Sequence, residues 1–154
     1  MTIVFGTETD LTAINQVVTS AAMAWPKSER VKRLVLPVLN YTAEDFNYYK
    51  FLLCKDRGQC VGVAVLDIEM PVETARGTGR LLHGLYVTPA KQGRGQGQLL
   101  LKKTLDLAAS VGADGLVVKA ERVAIGFFEH CGLQLLPASG PAEHPYQFWY
   151  QASG

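Results

Sequence analysis

Leu81-Leu82-His83-Gly84-Leu85-Tyr86-Val87-Thr88-Pro89, then Ala90-Lys91-Gln92-Gly93-Arg94-Gly95-Gln96-Gly97-Gln98 and Leu99-Leu100-Leu101, is the stretch that decides the fold. Residues 81–87 are an apolar, β-rich run of strand length. The far end opens an amphipathic helix: Leu100, Leu101, Leu105, Ala108 and Val111 fall on one side, Lys102, Lys103, Asp106 and Ser110 on the other, up to Gly112. Between strand and helix lies Gln92-Gly93-Arg94-Gly95-Gln96-Gly97. A helix start carries unpaired backbone N–H groups and the positive end of the helix dipole. Glycines there remove the side chains that would hold an anion away, so the turn suits a phosphate or pyrophosphate, and Arg94 adds a mobile positive charge. Two phosphate-binding signatures are excluded. G-x-G-x-x-G fails because Gln98 stands three places after Gly95, and no Gly-Lys-Ser/Thr triplet occurs in the chain. On the glycines alone, a tight loop without a ligand stays open as a second reading.

Working outward, residues 3–5 read as a short first strand, and Thr7-Glu8-Thr9-Asp10 has capping-box spacing. Leu11, Ile14, Val18, Ala21 and Trp25 then recur at helical spacing until Pro26. A second helix is expected over residues 29–36, after Ser28 and before Pro37, and Thr42-Ala43-Glu44-Asp45 is a further N-cap signature. Residues 48–55 and 60–68 are β-rich runs joined by Asp56-Arg57-Gly58-Gln59, a hairpin signal. Residues 70–79, with Pro71, Gly77 and Gly79, read as a loop. Beyond the central helix, residues 116–119 form a short buried strand. Ala124, Phe127, Phe128 and Cys131 follow helical spacing up to Gly132, and residues 133–136 and 146–150 close the chain as strands. The order βααβββαβαββ describes an α+β fold, one mixed sheet covered by helices. Residues 1–154 are expected to form a single domain.

Hydrophobic residues make up 48% of the 154 and charged residues 19%. That is ample for one core and excludes a disordered or fibrous chain. Lys plus Arg is 15 and Asp plus Glu is 14, a net +1, so the overall charge gives no reason to hold nucleic acid or an anionic membrane. Residues 1–6 lack a leader pattern, and the apolar runs at 34–39 and 61–66 are far shorter than a membrane span. The expectation is a cytoplasmic protein with neither nucleic acid nor membrane as partner. Cys54, Cys60 and Cys131 show no C-x-x-C spacing, and His83, His130 and His144 are dispersed. No metal is implied, and the thiols are read as reduced.

Gln92-x-x-Gly95-x-Gly97, following Leu85-Tyr86-Val87-Thr88-Pro89, resembles the acyl-coenzyme A motif of the GNAT superfamily of N-acyltransferases, an R/Q-x-x-G-x-G/A loop joining the fourth strand to the third helix. The resemblance continues into Ala124-x-x-Phe127-Phe128-Glu129-x-x-Gly132-Leu133, which is similar to the family's A-x-x-F-Y-x-x-x-G-F segment. It is strongest over residues 80–136; the N-terminal part agrees only in element order. It implies a mostly antiparallel central sheet flanked by helices and splayed between strands four and five, with acetyl-coenzyme A as co-substrate in the gap. Backbone groups of Leu85, Tyr86 and Val87 would pair with the pantetheine arm as an added strand does. The loop of Gln92, Gly93, Arg94, Gly95, Gln96 and Gly97, with Gln98 beside it, would hold the pyrophosphate, and Phe128 would lie against the thiol end. A strand N–H near Leu85 or Val87 would stabilise the oxyanion. The implied activity is transfer of an acetyl group to a primary amine, on a small molecule or a peptide, by direct attack in a ternary complex. Homodimers are common in the family, and the residues do not fix the oligomeric state.

Two positions depart from the family pattern. Glu121 stands where an Asn is frequent, and Phe128 stands where a Tyr is usual and cannot protonate a departing thiolate. These departures keep open a non-catalytic acyl-coenzyme A-binding or sensing module, and the glycine turn keeps open a mononucleotide-binding domain. By period-two alternation Leu81, His83, Leu85 and Val87 share one strand face. His83 is placed similarly to a histidine that removes protons in arylalkylamine-type members of the superfamily. Such a group is needed, since only ~0.04% of a lysine-like amine is neutral at pH 7, and a neutral imidazole can accept its proton. A histidine buried beside the sheet and bonded to backbone is the other role open to it. Asp67, Glu69, Trp25 and Tyr150 are further candidates for the acceptor side, each with a solvated or core role in competition.

Overall fold

The computed structural model describes residues 1–91, 93–137 and 146–153. Among these, seven strands form one sheet: Thr2–Phe5 (β1), Tyr49–Asp56 (β2), Gln59–Thr74 (β3), Gly77–Val87 (β4), Gly115–Lys119 (β5), Gln134–Leu135 (β6) and Gln147–Gln151 (β7). Their spatial order is β1-β2-β3-β4-β5-β7-β6, and every neighbouring pair is antiparallel except β4–β5. The helices Leu11–Met23 (α1) and Glu29–Leu39 (α2) lie toward one face, and Gln96–Ser110 (α3) and Ile125–His130 (α4) toward the other. The element order is the expected one. No helix among the described residues is long and apolar enough to cross a membrane.

Alternation along β2 and β3 builds two cores, one on each face. Phe51, Leu53, Val63 and Val65 meet Ile14, Val17 and Val18 of α1, while Leu52, Ala64 and Leu66 meet Leu100, Leu101 and Leu105 of α3. The β2–β3 turn has Arg57 at φ +51° and Gly58 at φ +79°, the paired left-handed conformation that suits a two-residue hairpin. Ser28 caps α2, its Oγ accepting the Val31 amide at 3.2 Å. Cys54, Cys60 and Cys131 are free thiols. Val111, placed by pattern on the buried side of the central helix, is half exposed just past its end.

Two boundaries differ from the pattern. α2 runs through Pro37 to Leu39: the proline costs the amide bond to the carbonyl four residues back but sits only two residues from the helix end, and Leu39 packs onto the α1-side core. The stretch read as a loop, residues 70–79, is mostly strand. β3 continues to Thr74 and β4 begins at Gly77, with Pro71 paired to Arg80 and Glu73 to Thr78. The glycines there make room for a neighbour: a Cβ on Gly79 would lie 2.8 Å from the Trp149 ring, and one on Gly115 2.7 Å from it.

Two irregularities of β4 position the site. It pairs with β5 only from Gly79 to Leu82, against Gly115 to Val118, and then the strands part. At the same point Leu66 pairs with Leu82 but Val65 with Gly84, which leaves His83 as the extra residue of a β-bulge.

Candidate active site

β4 leads through a 3₁₀ turn at Pro89–Lys91 into the glycine loop. Gly93 and Gly95 both stand at φ +82°, where a side chain would be strained, and a Cβ on either would meet nothing within 4 Å. The turn is therefore open to an incoming group. Gly95 is the N-cap of α3 and supplies no side-chain cap, so the first-turn amides have no partner within the helix. Gly97 is close-packed instead, since a Cβ there would sit 3.2 Å from the Phe127 ring.

Beside this turn opens a cleft of about 540 Å³. Of the expected cofactor residues it brings together Leu85, Val87, Gly93, Gly95, Gln96, Gly97, Gln98 and Phe128. Ala21 and Trp25 at the end of α1 and Phe127 of α4 complete its apolar wall. Arg94 is exposed and does not line the cleft, and Gln92 lies outside the described residues. The Tyr86 side chain turns to the other face of β4, where it packs with the α1-side core. Gln96 is buried, and its side-chain amide has no hydrogen-bond partner among the described residues. Phe128 is buried too, edge-on to Phe127 with ring centroids 5.2 Å apart. Among the described residues no cluster of His, Cys, Asp and Glu could hold a metal.

His83 is not where alternation puts it. The bulge turns its ring away from Leu85 and Val87 and toward the α1/α2 side, against Tyr41 and Tyr49. Its Nδ1 lies 2.8 Å from the Tyr41 hydroxyl, and its ring centroid is 4.5 Å from that of Tyr49. Tyr41 is itself fixed. Its backbone N–H donates to Asn15 Oδ1 at 2.8 Å, its carbonyl accepts from Asn15 Nδ2 at 2.9 Å, and its ring meets Phe51 edge-on at 5.1 Å. Burial drives the Tyr41 hydroxyl far above its ordinary pKa, so it stays protonated, and burial raises that of Tyr86 as well. Desolvation lowers the His83 pKa, with Asp45 and Asp67 acting in the opposite sense. The imidazole is thus neutral at pH 7 and keeps an exposed edge.

A second cavity, of about 280 Å³, lies against this group, with Tyr41, Asp45, Tyr49, His83 and Tyr86 in its lining. Tyr41, Tyr49 and the charge of Asp45 are absent from the sequence reading. Tyr41 stands in a polar connection without periodicity and meets His83 only through the fold, and Asp45 reads as a cap, which it also is, accepting the Thr42 amide at 2.7 Å. The other acceptor-side candidates separate. Trp25 lines the cleft and Tyr150 packs with the α3-side core. Asp67 Oδ1 accepts the Glu69 and Met70 amides at 2.8 and 3.2 Å, and Glu69 is exposed.

The sheet thus opens along a parallel strand pair, with a glycine turn and a helix start at its mouth. The sequence profile of the acetyltransferase (GNAT) family matches residues 14–133, and the chain belongs to that family. Solved structures of similar fold include PaiA N-acetyltransferase from Thermoplasma acidophilum in complex with coenzyme A, at 17% identity and a TM-score of 0.72, covering 98% of this chain and 99% of that one. A GNAT family acetyltransferase from Brucella melitensis in complex with acetyl-CoA is 22% identical with a TM-score of 0.61, covering 98% and 97%. Tetrahymena GCN5 is 15% identical with a TM-score of 0.66, covering 99% and 97%. At these identities the likeness is one of fold. No curated protein sequence matches the chain.

Proposed function

We propose that the protein moves an acetyl group from acetyl-coenzyme A to a primary amine by direct attack in a ternary complex. The observation that carries this reading is the open left-handed turn at Gly93 and Gly95, at the start of α3, lining a cleft that also takes in the part of β4 beyond its last pair with β5. Two neighbours of the same fold are complexes with coenzyme A and with acetyl-CoA, which supports the assignment. The amides of residues 93–97 hold the pyrophosphate, and β4 at Leu85 and Val87, past its last pair with β5, offers backbone groups to the pantetheine amides. A strand N–H there stabilises the oxyanion. Neutral His83 takes a proton from the ammonium, and the freed lone pair attacks the thioester carbon. The C–S bond breaks, coenzyme A leaves as a thiolate, and the second proton of the attacking nitrogen passes to that thiolate or to water as the amide forms. A thiol with a pKa of about 8.5 leaves readily near neutral pH, so the absence of a donor at Phe128 is tolerated.

The test is Gly97→Glu. Its side chain must displace Phe127 and sets a negative charge at the anion site. Calorimetry should show coenzyme A binding weakened by about tenfold or more, with the circular dichroism spectrum kept. Unchanged affinity in the folded variant removes the basis of the proposal. Binding without thiol release across a panel of amines marks a sensing module instead.

A further inference from the structure

We infer that the cavity beside His83 is the acceptor pocket and that it selects an aliphatic amine bearing a second positive charge. The inference rests on the transferase reading above and adds the chemistry of the acceptor. His83 is the residue after the last β4–β5 pair, Leu82 with Val118, so the cavity meets the sheet where it opens. Leu85 lines the donor cleft, and His83 and Tyr86 line the cavity. The two hollows thus flank the same short stretch of β4, on either side of its bulge, and transfer requires the amine to meet the acyl group in the gap that opens past Leu82.

The walls state what fits. Tyr41, Tyr49, Tyr86 and His83 present aromatic rings, and Val38 and Leu39 at the end of α2 are apolar. Asp45 supplies a carboxylate, and Asp67 is close enough to raise the pKa of both His83 and Tyr49. No lysine or arginine lines the cavity among the described residues. Aromatic faces and a carboxylate attract an alkylammonium group, whereas a substrate carboxylate finds no counter-charge. In the tautomer whose Nδ1–H donates to the Tyr41 hydroxyl oxygen, Nε2 is the acceptor that faces the amine to be acylated. The second ammonium then lies against Tyr49 and Asp45.

Thiol release from acetyl-coenzyme A tests this with three acceptors of similar length: 1,4-diaminobutane, n-butylamine and 4-aminobutanoate. The expected order of kcat/KM is diamine over butylamine by about tenfold or more, with the amino acid slowest. Asp45→Asn keeps an oxygen for the Thr42 amide and removes only the charge. It should narrow the diamine-to-butylamine ratio by about fivefold or more, chiefly through KM. Equal rates with all three acceptors, no turnover with the diamine, or a ratio unmoved by Asp45→Asn overturns the acceptor assignment. Calorimetry with coenzyme A separates the two levels: a folded wild-type protein that fails to bind it loses the transferase reading itself.

Discussion

His83 sits between opposing influences. Desolvation by its neighbours favours the neutral ring, while Asp45 and Asp67 favour the imidazolium, and the balance lies below the ordinary value near 6.5. In the proposed role of proton acceptor the neutral ring is available at neutral pH, and turnover should decline only as pH falls below the ordinary imidazole value. The stability linkage has the same sign. An unfolded chain takes up a proton at higher pH than the folded one, so the contribution is present above the unfolded pKa and is lost as pH falls through the folded one. His83→Gln can still bond to Tyr41 but accepts no proton. It should cut turnover by about 10²–10⁴ and flatten the acid limb of the pH–rate profile, with coenzyme A affinity kept. A variant with the wild-type profile returns His83 to a packing role.

β4 as an element decides more than any one of its residues. A Cβ on Gly84 would fall 2.5 Å from the Tyr86 ring and 2.7 Å from the Tyr41 hydroxyl. Gly84→Ala must therefore displace the Tyr86 ring and the Tyr41 hydroxyl that bonds His83, and should destabilise the fold by about 1–3 kcal/mol and lower turnover. Urea titration and a steady-state assay check both; a variant with wild-type values shows that the tyrosines yield freely. The same strand shows where sequence patterns stop. Strand, turn and helix were legible from residue 81 onward because period two, glycine and period 3.6 follow one another without overlap. Residues 48–55 and 60–68 were legible as two strands of a hairpin, whereas the division of their side chains between two cores shows only in the fold. The face of His83 was not, because a bulge adds a residue without changing composition, and alternation counted through it assigns the wrong side. Residues 70–79 were misread for a related reason: Gly79 serves in a strand where Trp149 needs the space, and that need arises on another strand.

At the scale of the molecule, the sheet is buried from both sides and depends on its last strand. Trp149 of β7 is 1% exposed, stands opposite Val117 of β5 and lies over Gly79 and Gly115. Its Nε1 donates to Gln151 Oε1 at 2.9 Å. Trp149→Ala should cost about 3–5 kcal/mol, because glycine neighbours have no side chains with which to fill the void. A midpoint of urea unfolding close to wild type would show that the region collapses around the loss. The bulge has a different arithmetic. Residues 82–87 of β4 stand against residues 62–66 of β3, six opposite five. A chain shortened by His83 alone would run from Leu82 straight to Gly84, with Leu66 and Val65 still opposite them and Leu85, Tyr86 and Val87 on their present faces. The α1-side core would lose the partner of the Tyr41 hydroxyl, and the ladder would keep its other register shift, between Leu66 and Pro71. The surplus residue in the strand is His83, so the imidazole that meets Tyr41 and Tyr49 is carried as an insertion in the ladder.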